Sequence, residues 1–205
     1  MWDTLGRNAG VRETWHMHVY AEIDDALRRF ILDQPVFFVG TAPTGAQGHV
    51  NVSPKGLAGS LVVLGPQRVA YLDYGGSGAE TIAHLRENGR ITLMFAAFQG
   101  APNIVRLYGH GRPVFAGEPD FEPLRDLFPV RHNRLRAIID VTVERVADSC
   151  GYAVPLMAFE GHRDRLTSTW ADKDAEAAER YWAAKNPTSI DGLPAMPPTG
   201  AVRSG

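Results

Sequence analysis

From residue 36 onward the chain is cut by glycines and prolines into β-type runs that follow one another too closely to be joined as a parallel sheet. The runs are VFFVGTA at 36–42, HVNVS at 49–53, SLVVLG at 60–65 and RVAYLD at 68–73. After a helical interval come ITLMFAAF at 91–98, IVRLYGHGRPVF at 104–115 and RAIIDVTVERVAD at 136–148. Turns fall at 45–48, 54–56 and 65–67, the last reading as a hairpin. Parallel neighbours need a crossover of a dozen or more residues, which most of these links lack. The pattern predicts a mainly β chain, an antiparallel barrel of about six strands with flanking helices.

The helices are few. Ile23, Leu27, Phe30 and Ile31 recur at helical spacing across 22–33, with Glu22, Asp24 and Asp25 in the first turn, where acids suit the helix dipole, and Pro35 just beyond the end. YGGSGAET links the strand at 68–73 to a short helix running to about Asn88, with Gly89 as its stop. Phe121, Leu124, Leu127 and Phe128 mark another. The alanine-rich, charged stretch 172–185 predicts a surface helix, and the tail NPTSIDGLPAMPPTGAVRSG an irregular, partly mobile end. These readings divide the chain into an extension at 1–19, a barrel at 20–170, and a helix with tail at 171–205.

At 205 residues with 44% apolar content the chain can bury one substantial core. Lys plus Arg total 21 against 23 for Asp plus Glu, a balance that provides no broad positive field for nucleic acid or an anionic membrane. The expected partner is a small molecule. Cys150 is the sole cysteine, which excludes an internal disulfide and a thiolate zinc cluster; a reducing compartment fits, and a buried, inert thiol is the default reading. The first residues carry no secretory pattern and no apolar run nears a membrane span, so a cytoplasmic location is expected.

Three stretches carry candidate chemistry. In HVNVSPKG at 49–56, Asn51 and Ser53 share one strand face and Lys55 follows where the strand ends, so two neutral donors and a cation can converge on an acceptor-rich group such as a phosphate. An ordinary solvent-facing edge with a turn lysine accounts for the same spacing. In LDYGGSGAETIAHL, small residues before a helix start permit close backbone approach to an anion, with Ser77 or Thr81 adding a hydroxyl; a plain helix entry explains it as well. Arg106 in IVRLYGHGR faces water or needs a partner, and Tyr108 shares its face. The histidines, His16 and His18 included, make no ligand spacing and no metal is assigned.

Together FFVGTA, GHVNVSPKG, RVAYLDYGGSGAETIAHLRENGRITLMFAAF and RLYGHGR resemble the split barrels of the pyridoxamine 5′-phosphate oxidase-related proteins over about residues 20–160, and SCGYAVP and KNPTSIDGLP resemble a subgroup of that family. The resemblance implies a Greek-key split barrel that forms a homodimer, with FMN in each of two interfacial grooves, and hydride transfer through the flavin. It implies that Lys55 is the phosphate-side lysine and Ser77 the turn serine. Asn51, Val52 and Ser53 then lie on the groove-lining strand, backbone at Tyr71, Leu72 and Asp73 faces the ring, and Thr81 and Arg106 complete the candidate set. Gly78 and Ala79 stand where the vitamin oxidases have Arg-Lys, and Val50 where they have arginine. The terminal Arg-Leu-His segment is absent, so the resemblance does not extend to their substrate. A deazaflavin in the groove, or a non-catalytic flavin or haem carrier, are the alternative readings.

Overall fold

The computed structural model describes residues 17–131, 135–171 and 173–197. In chain order its elements are β1 (Val19–Tyr20), α1 (Asp25–Asp33), β2 (Val36–Thr41), β3 (Asn51–Gly56), β4 (Leu61–Gly65), β5 (Arg68–Tyr74), α2 (Glu80–Asn88), β6 (Arg90–Ala96), β7 (Ile104–Val114), α3 (Phe121–Arg125), β8 (Leu135–Ser149), α4 (Arg165–Ala171) and α5 (Ala175–Lys185). The strands pair antiparallel in the order β3-β2-β6-β7-β8-β5-β4, and β1 adds to β8. The two ends of this path, β3 and β4, are not bonded to each other, which leaves the barrel split.

Each predicted β-type run forms a strand, and β1 brings the sheet to eight rather than six. Two residues are too few to show a period. At 15 residues, β8 is long enough to pair with β7 along one side and with β5 and then β1 along the other. A bulge between Tyr108 and Gly109 interrupts the β7–β8 register, and such an insertion bends and twists a sheet locally.

Alternation places Phe37, Val39, Tyr71, Leu93, Phe95 and Leu107 on one sheet face, where they meet Leu27 and Ile31 of α1 and Ile82 of α2 in the main core. On the other face Ala70, Leu72 and Ile138 pack against Phe121, Leu124 and Phe128 around α3. Full burial of a large apolar side chain contributes about 1.5–3 kcal/mol, so these two clusters hold the strands in register.

Several boundaries differ from expectation for local reasons. Helix α1 begins at Asp25 because the Asp24 carboxylate accepts from Leu27 N at 2.8 Å and caps it, which leaves Glu22 and Ile23 outside. Strand β3 continues through Pro54 to Gly56 where a turn was expected; an edge strand tolerates proline because one side of its backbone needs no partner. Lys55 therefore lies within β3. Helix α4 was not anticipated, and α5 starts at Ala175, capped by Asp174 onto Ala177 N at 2.7 Å.

The described part of the tail is not loose. Thr188 bridges Pro194, Asn186 and Ala195 are wholly buried, and Arg86 Nη1 donates to Ala195 O at 2.6 Å. Cys150 is exposed, contrary to the expected burial, because it follows the end of β8 and leaves the core with it. Among the described residues no helix is long and apolar enough to cross a membrane. The extension expected at 1–19 lies largely outside the described residues, as does His16.

Candidate functional site

On β3 the residues Asn51, Ser53 and Lys55 alternate onto the face that pairs with Thr41, Val39 and Phe37, which is the core side. Asn51 Nδ2 donates to Ser53 Oγ and to Thr81 Oγ1, each at 3.1 Å, so the amide and two hydroxyls converge beneath the first turn of α2. The donors and acceptors that the sequence placed in two separate stretches thus form one polar group.

Next to it stands a buried charge cluster centred on Asp73, the penultimate residue of β5, which has no solvent exposure. Lys55 Nζ lies 3.1 Å from Asp73 Oδ1, and Arg136 grips Asp73 Oδ2 through Nη2 at 2.7 Å and Nε at 2.8 Å. Burial alone would raise this carboxyl, but Lys55 and Arg136, by charge and by hydrogen bond, hold it below the usual aspartate range. One carboxylate against two cations leaves the cluster with a net positive charge. The Lys55 side chain, 23% exposed, carries that charge to the surface.

Arg136 reaches this position through a register shift. Asp73 pairs with Ala137 and Tyr74 with Leu135, so Arg136 is the extra residue, turned inward by the irregularity. Its Nη1 donates to Gly78 O at 2.8 Å and to Asn186 Oδ1 at 2.9 Å, while Asn186 Nδ2 donates to Gly76 O at 3.1 Å. The glycine-rich turn at 75–78 is therefore clamped from beneath by Arg136 and by the segment after α5. A Cβ at Gly75 would run into the Trp182 indole nitrogen, so this close packing needs glycine there.

Lys55, Tyr74, Gly75 and Gly76 open onto a cavity of about 780 Å³, walled on another side by Arg163, Arg165, Trp170 and Tyr181. Among the described residues no Asp or Glu lines it. A cavity of this size with cations, a glycine backbone free of side chains and aromatic walls suits a ring-bearing anion. Those residues suit the chemistry of a flavin: a cation and small-residue backbone for a phosphate, and apolar and aromatic side chains for a ring.

The sequence-predicted residues divide by face. Asn51, Ser53, Lys55, Tyr71, Asp73 and Thr81 point to the core side, where Tyr71 is fully buried and packs edge-on to Phe37, ring centroids 5.6 Å apart. Burial first, and then nearby Asp73, push its phenol well above the usual tyrosine range. Leu72 belongs to the α3 cluster on the other face, and Ser77 is exposed in the turn. Val52 is 64% exposed on the outer face of β3. Arg106 shares that outer face, through the register Arg106–Met94–Phe38–Pro54, and donates to Ser149 Oγ at 2.9 Å; it does not join Lys55. Arg136 and Asn186 were not anticipated. The signal for Arg136 was an arginine entering the apolar run RAIID; Asn186 gave none beyond its place in KNPTSIDGLP.

A family model described as pyridoxamine 5′-phosphate oxidase matches residues 23–150. The pyridoxamine 5′-phosphate oxidase family protein ustO of Aspergillus flavus is 38% identical over 193 residues, covering 86% of this chain and 77% of that protein. Among solved structures, HupZ of Group A Streptococcus is 20% identical with a TM-score of 0.46, covering 60% of this chain and 91% of that one. An FMN-binding protein of Syntrophomonas wolfei is 15% identical with a TM-score of 0.45, covering 59% and 82% respectively. A FAD-binding protein of Mesorhizobium loti is 13% identical with a TM-score of 0.44, covering 65% and 96%.

Proposed function

This chain belongs to the pyridoxamine 5′-phosphate oxidase family, and we propose that it is a cytoplasmic, homodimeric oxidoreductase that binds FMN and acts on a small molecule other than the vitamin substrate. The observation that carries the reading is the juxtaposition of the Asp73-centred cluster, net positive and presenting Lys55, with a glycine turn on a cavity lined by further cations. Lys55, backbone of the turn at 75–78 and the Ser77 hydroxyl would hold the flavin phosphate. Backbone at Tyr71, Leu72 and Asp73 would face the ring.

Bound flavin would supply reversible hydride acceptance and donation. The protein's own part is positioning. Asp73 and Arg136 fix the Lys55 ammonium, so little side-chain freedom is lost when an anion arrives. Arg136 and Asn186 hold the turn carbonyls of Gly78 and Gly76 from below, which orients the turn backbone. Asn51, Ser53 and Thr81, bonded to one another, support β3 and the start of α2 on the core side of Lys55.

A dimer is supported by the outer sheet face, where Val50 is 73% and Val52 64% exposed beside the half-buried Phe38 and Met94. Sedimentation at micromolar concentration is expected to give twice the 22.4 kDa chain mass; a monomer contradicts the dimeric reading. For the phosphate grip, Lys55→Ala is expected to weaken FMN by tenfold or more, which corresponds to about 1.4 kcal/mol, and Lys55→Arg to retain most of the affinity. Calorimetry at low salt checks this, and unchanged affinity in the alanine variant removes Lys55 from the site.

A further inference from the structure

We propose that Asn186 is a positioning residue for the flavin phosphate, held in place by the strap that follows α5, so that cofactor binding is coupled to the docking of residues 186–195; the role rests on the flavin reading above. Asn186 lies outside the family match at 23–150 and is wholly buried. A buried amide is costly unless its bonds are made, and here each end has one: Oδ1 accepts from Arg136 Nη1 at 2.9 Å and Nδ2 donates to Gly76 O at 3.1 Å. The second bond sets the glycine turn. A peptide carbonyl and the N–H that follows it point in opposite directions across a trans bond, so a Gly76 carbonyl drawn toward Asn186 sends the Ser77 N–H to the exposed side of the turn. That amide has no hydrogen-bond partner among the described residues and is free to donate to an anion.

The strap is a single bonded unit that reaches three elements around the anion site. Thr188 bridges Pro194, Ala195 N donates to Pro187 O at 2.9 Å, and the buried Ser189 hydroxyl accepts from Asp191 N and Leu193 N, each at 3.2 Å. From this unit Asn186 holds the turn and Ala195 O accepts from Arg86 of α2. The Asp191 carboxylate accepts from His49 N at 2.8 Å and lies 2.7 Å from His49 Nδ1, just ahead of Asn51 where β3 begins. Leu193 and Met196 pack against the main core. Turn, helix and lysine-bearing strand therefore share one fastening. Undocking the strap frees the Gly76 carbonyl, and fixing the backbone of even one residue again costs roughly tenfold in an equilibrium constant.

The test measures the affinity of the full chain for FMN and for riboflavin, which lacks the phosphate, by flavin fluorescence. Asn186→Ala is expected to weaken FMN about tenfold or more and riboflavin by less than about twofold, because only the phosphate meets the turn. A merely structural role lowers both alike. Asp191→Ala cuts the strap from His49 and removes a negative charge, a change that by charge alone favours an anion. It is expected instead to weaken FMN about threefold or more, again sparing riboflavin. Equal losses for the two flavins, or unchanged FMN affinity in Asn186→Ala, would overturn the role of Asn186. FMN affinity unchanged or raised in Asp191→Ala would overturn the coupling, and this variant decides the matter if Asn186→Ala does not fold. A wild-type chain that binds neither flavin overturns the flavin reading itself, a result distinct from the other two.

Discussion

Arg136→Ala is expected to lower the unfolding free energy by about 3–5 kcal/mol, the cost of breaking a buried ion pair from one side. The guanidinium is 4% exposed and makes two contacts to Asp73, with further bonds to Gly78 and Asn186. Its loss leaves a fully buried carboxylate with Lys55 alone and orphans the Asn186 amide oxygen. Against a typical total of about 5–15 kcal/mol, that is a large fraction. Urea denaturation reads it directly, and a loss below about 1 kcal/mol would show that Asp73 gains no stability from Arg136.

The same cluster sets a pH dependence. Folding lowers the Asp73 pKa, so the folded state favours the ionised carboxylate more than the unfolded chain does. Its contribution is therefore complete above the unfolded value near 3.8 and is lost as pH falls through the lower folded value. In Arg136→Ala this acid-limb loss is expected to shrink, because one of the two cations that depress the pKa has gone and only Lys55 remains.

Gly109→Ala is the second large effect expected, roughly 1–3 kcal/mol. A Cβ at Gly109 would meet the Thr142 carbonyl oxygen and press on Thr142 C and Val143 Cα, each at 3.0 Å. These are backbone atoms of β8 and cannot swing aside as a side chain tip would. The bulge must then flatten or β7 must separate from β8, the longest pairing in the sheet. Gly45→Ala, where nothing lies within 4 Å, is the control, expected to stay within about 0.5 kcal/mol. Equal stability of the two variants would mean that the bulge tolerates a side chain.

The strands were legible because period-two alternation and glycine or proline turns coincide from 36 to 74 and again from 91 to 114. Where those signals part company, expectation and structure differ. At Pro54 a residue that usually ends a strand sits on an edge, and the strand runs on past it to include Lys55. Helix α4 offers only Leu166 and Trp170 as an apolar pair, too little to mark a helix before the fold supplies the packing.

Part of the candidate site could be read in the same way. Asn51, Ser53 and Thr81 carry their meaning in local spacing and meet on the core side of β3, where Lys55, on the same face, turns to Asp73. Asp73 and Arg136 are 63 residues apart and meet through a register irregularity, which no local pattern announces. Asn186 lies a further 50 residues on, in a tail whose composition signals irregularity and whose buried amide nevertheless closes the clamp. Arg106 read from sequence as either facing water or paired, because strand parity alone does not say which face is the core; it lies on the outer face and bonds Ser149.

Absorption and mass spectrometry of the small molecule that copurifies with the chain test the central claim most directly. The account predicts a yellow protein with the two absorption bands of a flavin, releasing FMN on denaturation and holding it more weakly when Lys55 becomes alanine. A haem Soret band, a deazaflavin mass, or a colourless protein that takes up no added FMN would contradict it.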